Sequence, residues 1–141
     1  MCETEKWLNR GYKIRDIINN LEKSKSRLWE ASTGIAKPIK EKVQESHGNG
    51  TENKLTEYLY YVQQIETHKR RLILIMQEIE NAIMEVEDNT YKTLLIYRYL
   101  NFETWENISV LMNYNERSIY KIRKRALNAV SEVIKKNRNR A

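Results

Sequence analysis

Arg117 and Lys121 stand one helical turn apart in a segment, Glu116 to Val133, whose apolar residues recur at helical spacing. At about 100° per residue, Ile119, Ile122, Ala126, Val130 and Val133 fall on one stripe. Arg117, Lys121, Lys124 and Asn128 fall opposite it, with Tyr120 on one flank and Ser118 and Arg125 on the other. An arginine and a lysine on the solvent side of a helix can reach base edges in a DNA major groove. There a guanidinium pairs bidentately with guanine O6 and N7, each such contact contributing about 1–3 kcal/mol of discrimination. Glu116 adds an acceptor for a cytosine amino group and Tyr120 an apolar edge for a thymine methyl. The expected base-reading set is therefore Glu116, Arg117, Tyr120 and Lys121. Ser118, Arg123, Lys124 and Arg125 are expected on phosphates, where they set register and make affinity salt-dependent.

These side chains need a rigid mount, and the preceding residues predict one. Thr104 is a good N-cap for a short helix with Trp105, Ile108, Leu111 and Met112 on an inward face. Asn113-Tyr114-Asn115 breaks it: asparagine tolerates the left-handed conformation of a sharp turn, and Asn115 is a good N-cap for the next helix. Upstream, Asp88-Asn89-Thr90 marks a break or cap before a helix that runs from about Tyr91 to Asn101. Its Leu94, Leu95 and Leu100 are expected against Trp105, Ile108 and Ile119, with Leu127 and Val130 closing a three-helix core. Two helices joined by a tight turn, the second with a basic outer face, form a helix-turn-helix pattern. The final residues, Lys135 to Arg140, are expected to fray and to add non-specific phosphate contacts.

The stretches Thr104-Trp105-Glu106-Asn107-Ile108-Ser109, Tyr114-Asn115-Glu116-Arg117-Ser118-Ile119 and Ala126-Leu127 resemble the region-4 helix-turn-helix of bacterial sigma-70-type factors. Tyr97-Arg98-Tyr99-Leu100 followed by Thr104-Trp105-Glu106 further resembles the RinA/ArpU-like regulators of phages and prophages. The similarity covers roughly Asn89 to Val133. Asn115 stands where Ser or Thr is usual, and Ser109 where the usual residue is Gly or Ala. The resemblance implies a small transcription regulator that binds double-stranded DNA at a promoter, with RNA polymerase as a further partner. It places the recognition helix at Glu116, Arg117, Tyr120 and Lys121, in agreement with the helical wheel.

The N-terminal half reads as a long helical hairpin. From about Thr4 to Ser32, Trp7, Ile14, Leu21 and Leu28 recur every seven residues, supported by Ile18 and Trp29. So thin a stripe needs a partner helix. Residues 33–53, with Gly34, Pro38, Gly48 and Gly50, read as a connection, with room for a short helix after Pro38. Lys54 to Glu87 carries a heptad seam of Leu55, Val62, Lys69, Met76 and Ile83 with Tyr58, Ile65, Leu72, Ile79 and Val86. Lys69 interrupts it, either fixing register or snorkelling outward, and Leu59 and Ile73 widen it enough to seat a second chain. The fold expected is all-α, with residues 1–87 a coiled-coil-like hairpin and 88–141 a DNA-binding module. A homo-oligomer is expected, a dimer first, through Leu55, Tyr58, Val62, Ile65, Leu72, Met76, Ile79 and Ile83.

Composition agrees with this division. The chain has 141 residues and a formal charge of +6, yet from Asn113 onward nine Lys or Arg face two Glu, and the remainder is nearly balanced. The basic excess sits where a nucleic-acid-binding end requires it. Cys2 is the only cysteine and His47 and His68 the only histidines, His68 expected on the outside of the long helix. No Cys/His metal spacing, phosphate-cradling loop or cofactor motif is present, so neither an enzyme nor a cofactor is expected. No apolar run approaches the length of a membrane span, and the expected location is the cytoplasm of a bacterial host. Two other readings fit the pattern: a packaging component of the small-terminase type, and a coiled-coil interaction protein without specific DNA binding.

Overall fold

In the computed structural model the described residues are 2–33 and 48–140, and every regular element among them is helical. The elements are α1 (Glu3–Leu8), α2 (Arg10–Thr33), α3 (Gly48–Met84), α4 (Asn89–Leu95), a π-helical turn (Ile96–Leu100), α5 (Trp105–Met112) and α6 (Glu116–Arg140). The predicted first helix is thus two, split at Asn9. Its N–H closes α1 on the Glu5 carbonyl at 2.8 Å, while its own carbonyl accepts from Tyr12 N at 3.1 Å. The long helix begins at Gly48, so residues 48–53, expected in the connection, are helical. It ends at Met84 rather than Glu87. The short helix expected after Pro38 lies outside the described residues.

The chain divides into two compact units, Met1–Lys13 with Leu72–Ala141, and Ile14–Arg71. The division differs from the expected boundary after Glu87. It also cuts the predicted heptad seam between Lys69 and Leu72.

The first unit owns the larger core: Leu8, Ile79, Ala82, Ile83, Val86, Leu94, Leu95, Tyr99, Ile108, Ile119, Ala126, Leu127, Val130 and Ile134. The seam residues Ile79 and Ile83 are fully buried in it, so these two do not present the oligomer surface expected of them, while Leu72 and Met76 are half-buried. Ile79 and Ile83 share their core with Leu94 and Leu95 of α4, Ile108 of α5 and Ile119 and Val130 of α6. Asp88 caps α4 as expected, its Oδ1 accepting from Tyr91 N at 3.0 Å. The C-terminal segment stays helical through Arg140 instead of fraying from Lys135. Ile134 is buried, and the Asn137 side-chain amide donates to Glu85 at 2.9 Å, so the last turns have tertiary partners.

In the second unit α2 and α3 are antiparallel: Glu22 pairs with Lys69 at 3.8 Å, and Trp29 meets Tyr58 at 5.3 Å between ring centroids. Among its described residues the buried apolar ones are Ile14, Ile18 and Ile65. Of the expected oligomer seam, Tyr58 and Val62 are half-buried between the helices and Leu55 is 46% exposed. Lys69 lies at the edge with its ammonium on Glu22, and does not interrupt a core. His68, expected outside, is half-buried, and its Nδ1 lacks a hydrogen-bond partner. One turn after the buried Ile65, it lies on the flank of the packed face.

Candidate nucleic-acid interface

The connection between α5 and α6 is built from short local hydrogen bonds. Thr104 Oγ1 accepts from Asn107 N at 3.1 Å and starts α5, the N-cap role expected of it. Asn113 ends the helix at φ 59°, ψ 45°, the left-handed conformation that Asn tolerates better than most residues. Two residues on, Asn115 Oδ1 accepts from Ser118 N at 2.8 Å and opens α6. Ser109 earns its place in the turn: its hydroxyl donates to the Tyr114 carbonyl while its own carbonyl accepts from Tyr114 N at 3.0 Å. A Gly or Ala there would leave the Tyr114 carbonyl without this donor.

On α6 the expected two-faced pattern is present. Ile119, Ala126 and Val130 are buried and Ile122 and Val133 half-buried, while Arg117, Lys121, Lys124 and Asn128 are exposed on the opposite side. Glu116, Tyr120 and Arg125 are exposed as well. Tyr120 lies beside Lys124, whose ammonium is 4.6 Å from the ring centroid, a cation–π contact that steers the lysine along the helix. Ser118 is half-buried, with its backbone N–H taken by the Asn115 cap. Glu116, in the first turn, is favourably placed against the positive end of the helix dipole. Leu111, expected inward, is 53% exposed; the turn of α5 that faces the core is filled by Ile108, Met112 and Trp105.

Arg123 does not join the exposed basic group. Its guanidinium pairs with Glu5 of α1 at 3.1 Å and lies 4.6 Å from the Trp105 ring centroid. The helical wheel carried this signal: at about 100° per residue Arg123 falls about 40° from Ile119, on the packed side. Arg123 is therefore held by an acid and an aromatic face, and its expected phosphate contact is replaced by a tie between α1 and α6.

That tie continues into the π-helical turn, which no sequence signal announced. Asn101 N bonds the Ile96 carbonyl at 3.0 Å, and the widened turn leaves the Arg98 carbonyl to accept from the Tyr12 hydroxyl. The Arg98 guanidinium donates to the Glu103 carbonyl at 3.0 Å and lies 4.9 and 5.0 Å from the Trp105 and Tyr12 rings. Phe102, at φ 59°, meets Tyr12 edge-on at 4.8 Å between centroids. Trp105 is thus flanked by Arg98 and Arg123, and the start of α5 is fixed to both the π-turn and α6.

Tyr99, at the centre of this region, has its phenol pushed up to about 12 from the usual 10, first by burial and then by the Glu5 carboxylate, with Arg123 and Arg98 pulling the other way. Above pH 10 an unfolded chain releases a proton that the folded chain keeps. Folding stability from this group is therefore whole below pH 10 and falls as pH rises toward about 12, at up to about 1.4 kcal/mol per pH unit. Urea midpoints measured from pH 9 to 11.5 should fall more steeply for the native chain than for Tyr99→Phe; parallel slopes contradict the assignment.

Glu116 and Tyr120 also line a shallow pocket of about 280 Å³ with Trp105, Glu106, Ile119 and Arg123. The pocket opens between the first turns of α5 and α6. Among the described residues no group of three His, Cys, Asp or Glu is placed to hold a metal ion, and no helix is long and apolar enough to cross a membrane. Comparison of the chain with protein-family models, curated proteins and solved structures finds no match in any of the three.

Proposed function

We propose that the chain is a sequence-specific double-stranded DNA-binding protein, with α5 and α6 as a helix-turn-helix and α6 as the recognition helix. One observation carries this reading: Arg117, Lys121, Lys124 and Asn128 are exposed along the side of α6 opposite its buried stripe, directly after a tight asparagine turn. A solvent-facing basic stripe on a helix that follows such a turn fits the major groove by its first turns. Arg117 and Lys121 then read base edges, with Glu116 and Tyr120 beside them. Lys124 and Arg125 bind phosphates, and Ser118 lies close enough to the turn to add a hydroxyl. The likeness of residues 104–127 to sigma region 4, and of residues 97–106 to RinA/ArpU-like regulators, supports a phage or prophage transcription regulator that acts at a promoter and touches RNA polymerase.

The test is binding of the intact chain to DNA fragments tiled across its own replicon, at two salt concentrations. Retention of one fragment at the higher salt, with the others released, is the expected result. Equal binding to all fragments at both salts would sink the proposal.

A further inference from the structure

We infer that Glu5 of α1 is a positioning residue for the recognition helix: through Arg123 it holds the roll of α6 about its own axis, and so the aim of Arg117 and Lys121. The inference rests on the DNA reading proposed above. From Glu116 to Arg123 only Ile119 is buried, while Ala126, Leu127, Val130 and Ile134 anchor the turns that follow. Beside those first turns lies the shallow pocket of about 280 Å³, against Trp105 and Glu106. Apolar burial is non-directional, and one buried isoleucine next to an open pocket does not fix how the end of a helix is turned. The Asn115 cap bonds only within α6 and its lead-in, so it does not orient the helix against the rest of the unit.

Arg123 makes the directional contacts that do. Its Nη2 donates to Glu5 Oε2 at 3.1 Å, and its guanidinium lies 4.6 Å from the centroid of the Trp105 ring at the start of α5. At about 100° per residue, Arg117 and Lys121 stand about 120° and 160° from Arg123 around the helix, so a tie on one side sets the aim of the other. A roll of about 20° moves side chains about 5–6 Å from the axis by about 2 Å, against the roughly 0.5 Å within which a binding constellation must be held. Glu5 can serve as the fixed point because α1 is anchored elsewhere. Leu8 is fully buried, and Arg10 donates to the Trp7 carbonyl at 2.9 Å while pairing with Glu78 of α3 at 2.8 Å. The Glu5–Arg123 pair is itself partly exposed, at 18% and 31% of the two side chains, so it adds little to stability. Its effect is on direction.

The test compares the affinity of the intact chain for its preferred fragment and for an unrelated duplex, at one salt concentration, in Glu5→Gln, Arg123→Gln and the double variant. Glu3→Gln, at an exposed site on the same helix, changes the charge equally and is the control. Glu5→Gln should lower the ratio of the two affinities about tenfold, the discrimination of one misaimed base contact. Binding to the unrelated duplex should hold, and the melting temperature should fall by no more than about 5 °C. Arg123→Gln should lower the ratio at least as far, and the double variant no further than Arg123→Gln, since both changes break one tie. Glu3→Gln should keep the native ratio. A native ratio in Glu5→Gln overturns the inference, as does a parallel loss on both duplexes, which would mark a merely structural contact. Losses that multiply in the double variant also overturn it, because Glu5 would then not act through Arg123. A native chain that prefers no fragment removes the DNA reading and the inference with it; native preference with an unaffected Glu5→Gln removes the inference alone.

Discussion

Leu8→Ala will lower the stability of the intact chain by about 2–5 kcal/mol, the range for emptying a fully buried leucine site. Leu8 is in α1, eighty residues or more before the helices proposed to bind DNA, yet it is fully buried in their core with Ile79, Ile83, Leu94 and Val130. Removing it leaves a cavity that the rest of α1 cannot fill. Glu5 holds Arg123 and Arg10 holds Glu78 at 2.8 Å, so the segment is not free to slide inward. Chemical denaturation measures the effect directly. Glu80→Ala, at an exposed site on α3, is the control and should cost less than about 1 kcal/mol. Equal effects at the two sites would remove α1 from the core of the unit.

Arg117→Ala with Lys121→Ala will abolish sequence preference while leaving weak binding to any duplex. Two base contacts at about 1–3 kcal/mol each amount to roughly 30-fold to 10⁴-fold in the ratio of specific to non-specific affinity. The remaining exposed cations, Lys124, Arg125 and the Lys135–Arg140 segment, keep the phosphate attraction. Lys124→Ala should act differently, weakening all sequences alike and reducing the salt slope by about one. Arg123→Gln should lower the melting temperature and leave that slope unchanged, because its guanidinium is engaged by Glu5 and Trp105. Titrations of two sequences at several salt concentrations separate these behaviours.

What was legible in the sequence is what local chemistry decides. Asp88, Thr104 and Asn115 cap helices because a short polar side chain can satisfy an orphan N–H only two or three residues away. Asn113 takes the left-handed turn, and the stripe Ile119, Ala126, Val130 is buried, for equally local reasons. Contacts between distant segments were not legible. Nothing in Thr4 to Leu8 announces that Leu8 and Glu5 belong with α6 rather than with a coiled coil, since Trp7 and Ile14 fit a heptad equally well. The π-turn was hidden for the same reason, its Arg98 carbonyl being claimed by Tyr12 from far along the chain. Arg123 is an intermediate case: its type suggested phosphate, and its angle on the wheel already pointed to the packed side. The seam of α3 is periodic, but periodicity gives the apolar side of a helix without saying what covers it. Here Ile79 and Ile83 are covered by one core with residues of α4 to α6.

The central claim, that α6 reads bases from the major groove, is tested most directly by methylation interference on the preferred fragment. Methylating guanine N7 blocks the acceptor that an arginine or lysine would use while leaving the minor groove and the phosphates intact. The account predicts that methylation at a few guanines prevents binding of the native chain, and that Arg117→Ala or Lys121→Ala removes the effect at some of them and not at others. No interference at any guanine, or interference that persists unchanged in both variants, would mean that α6 does not read the major groove through these residues.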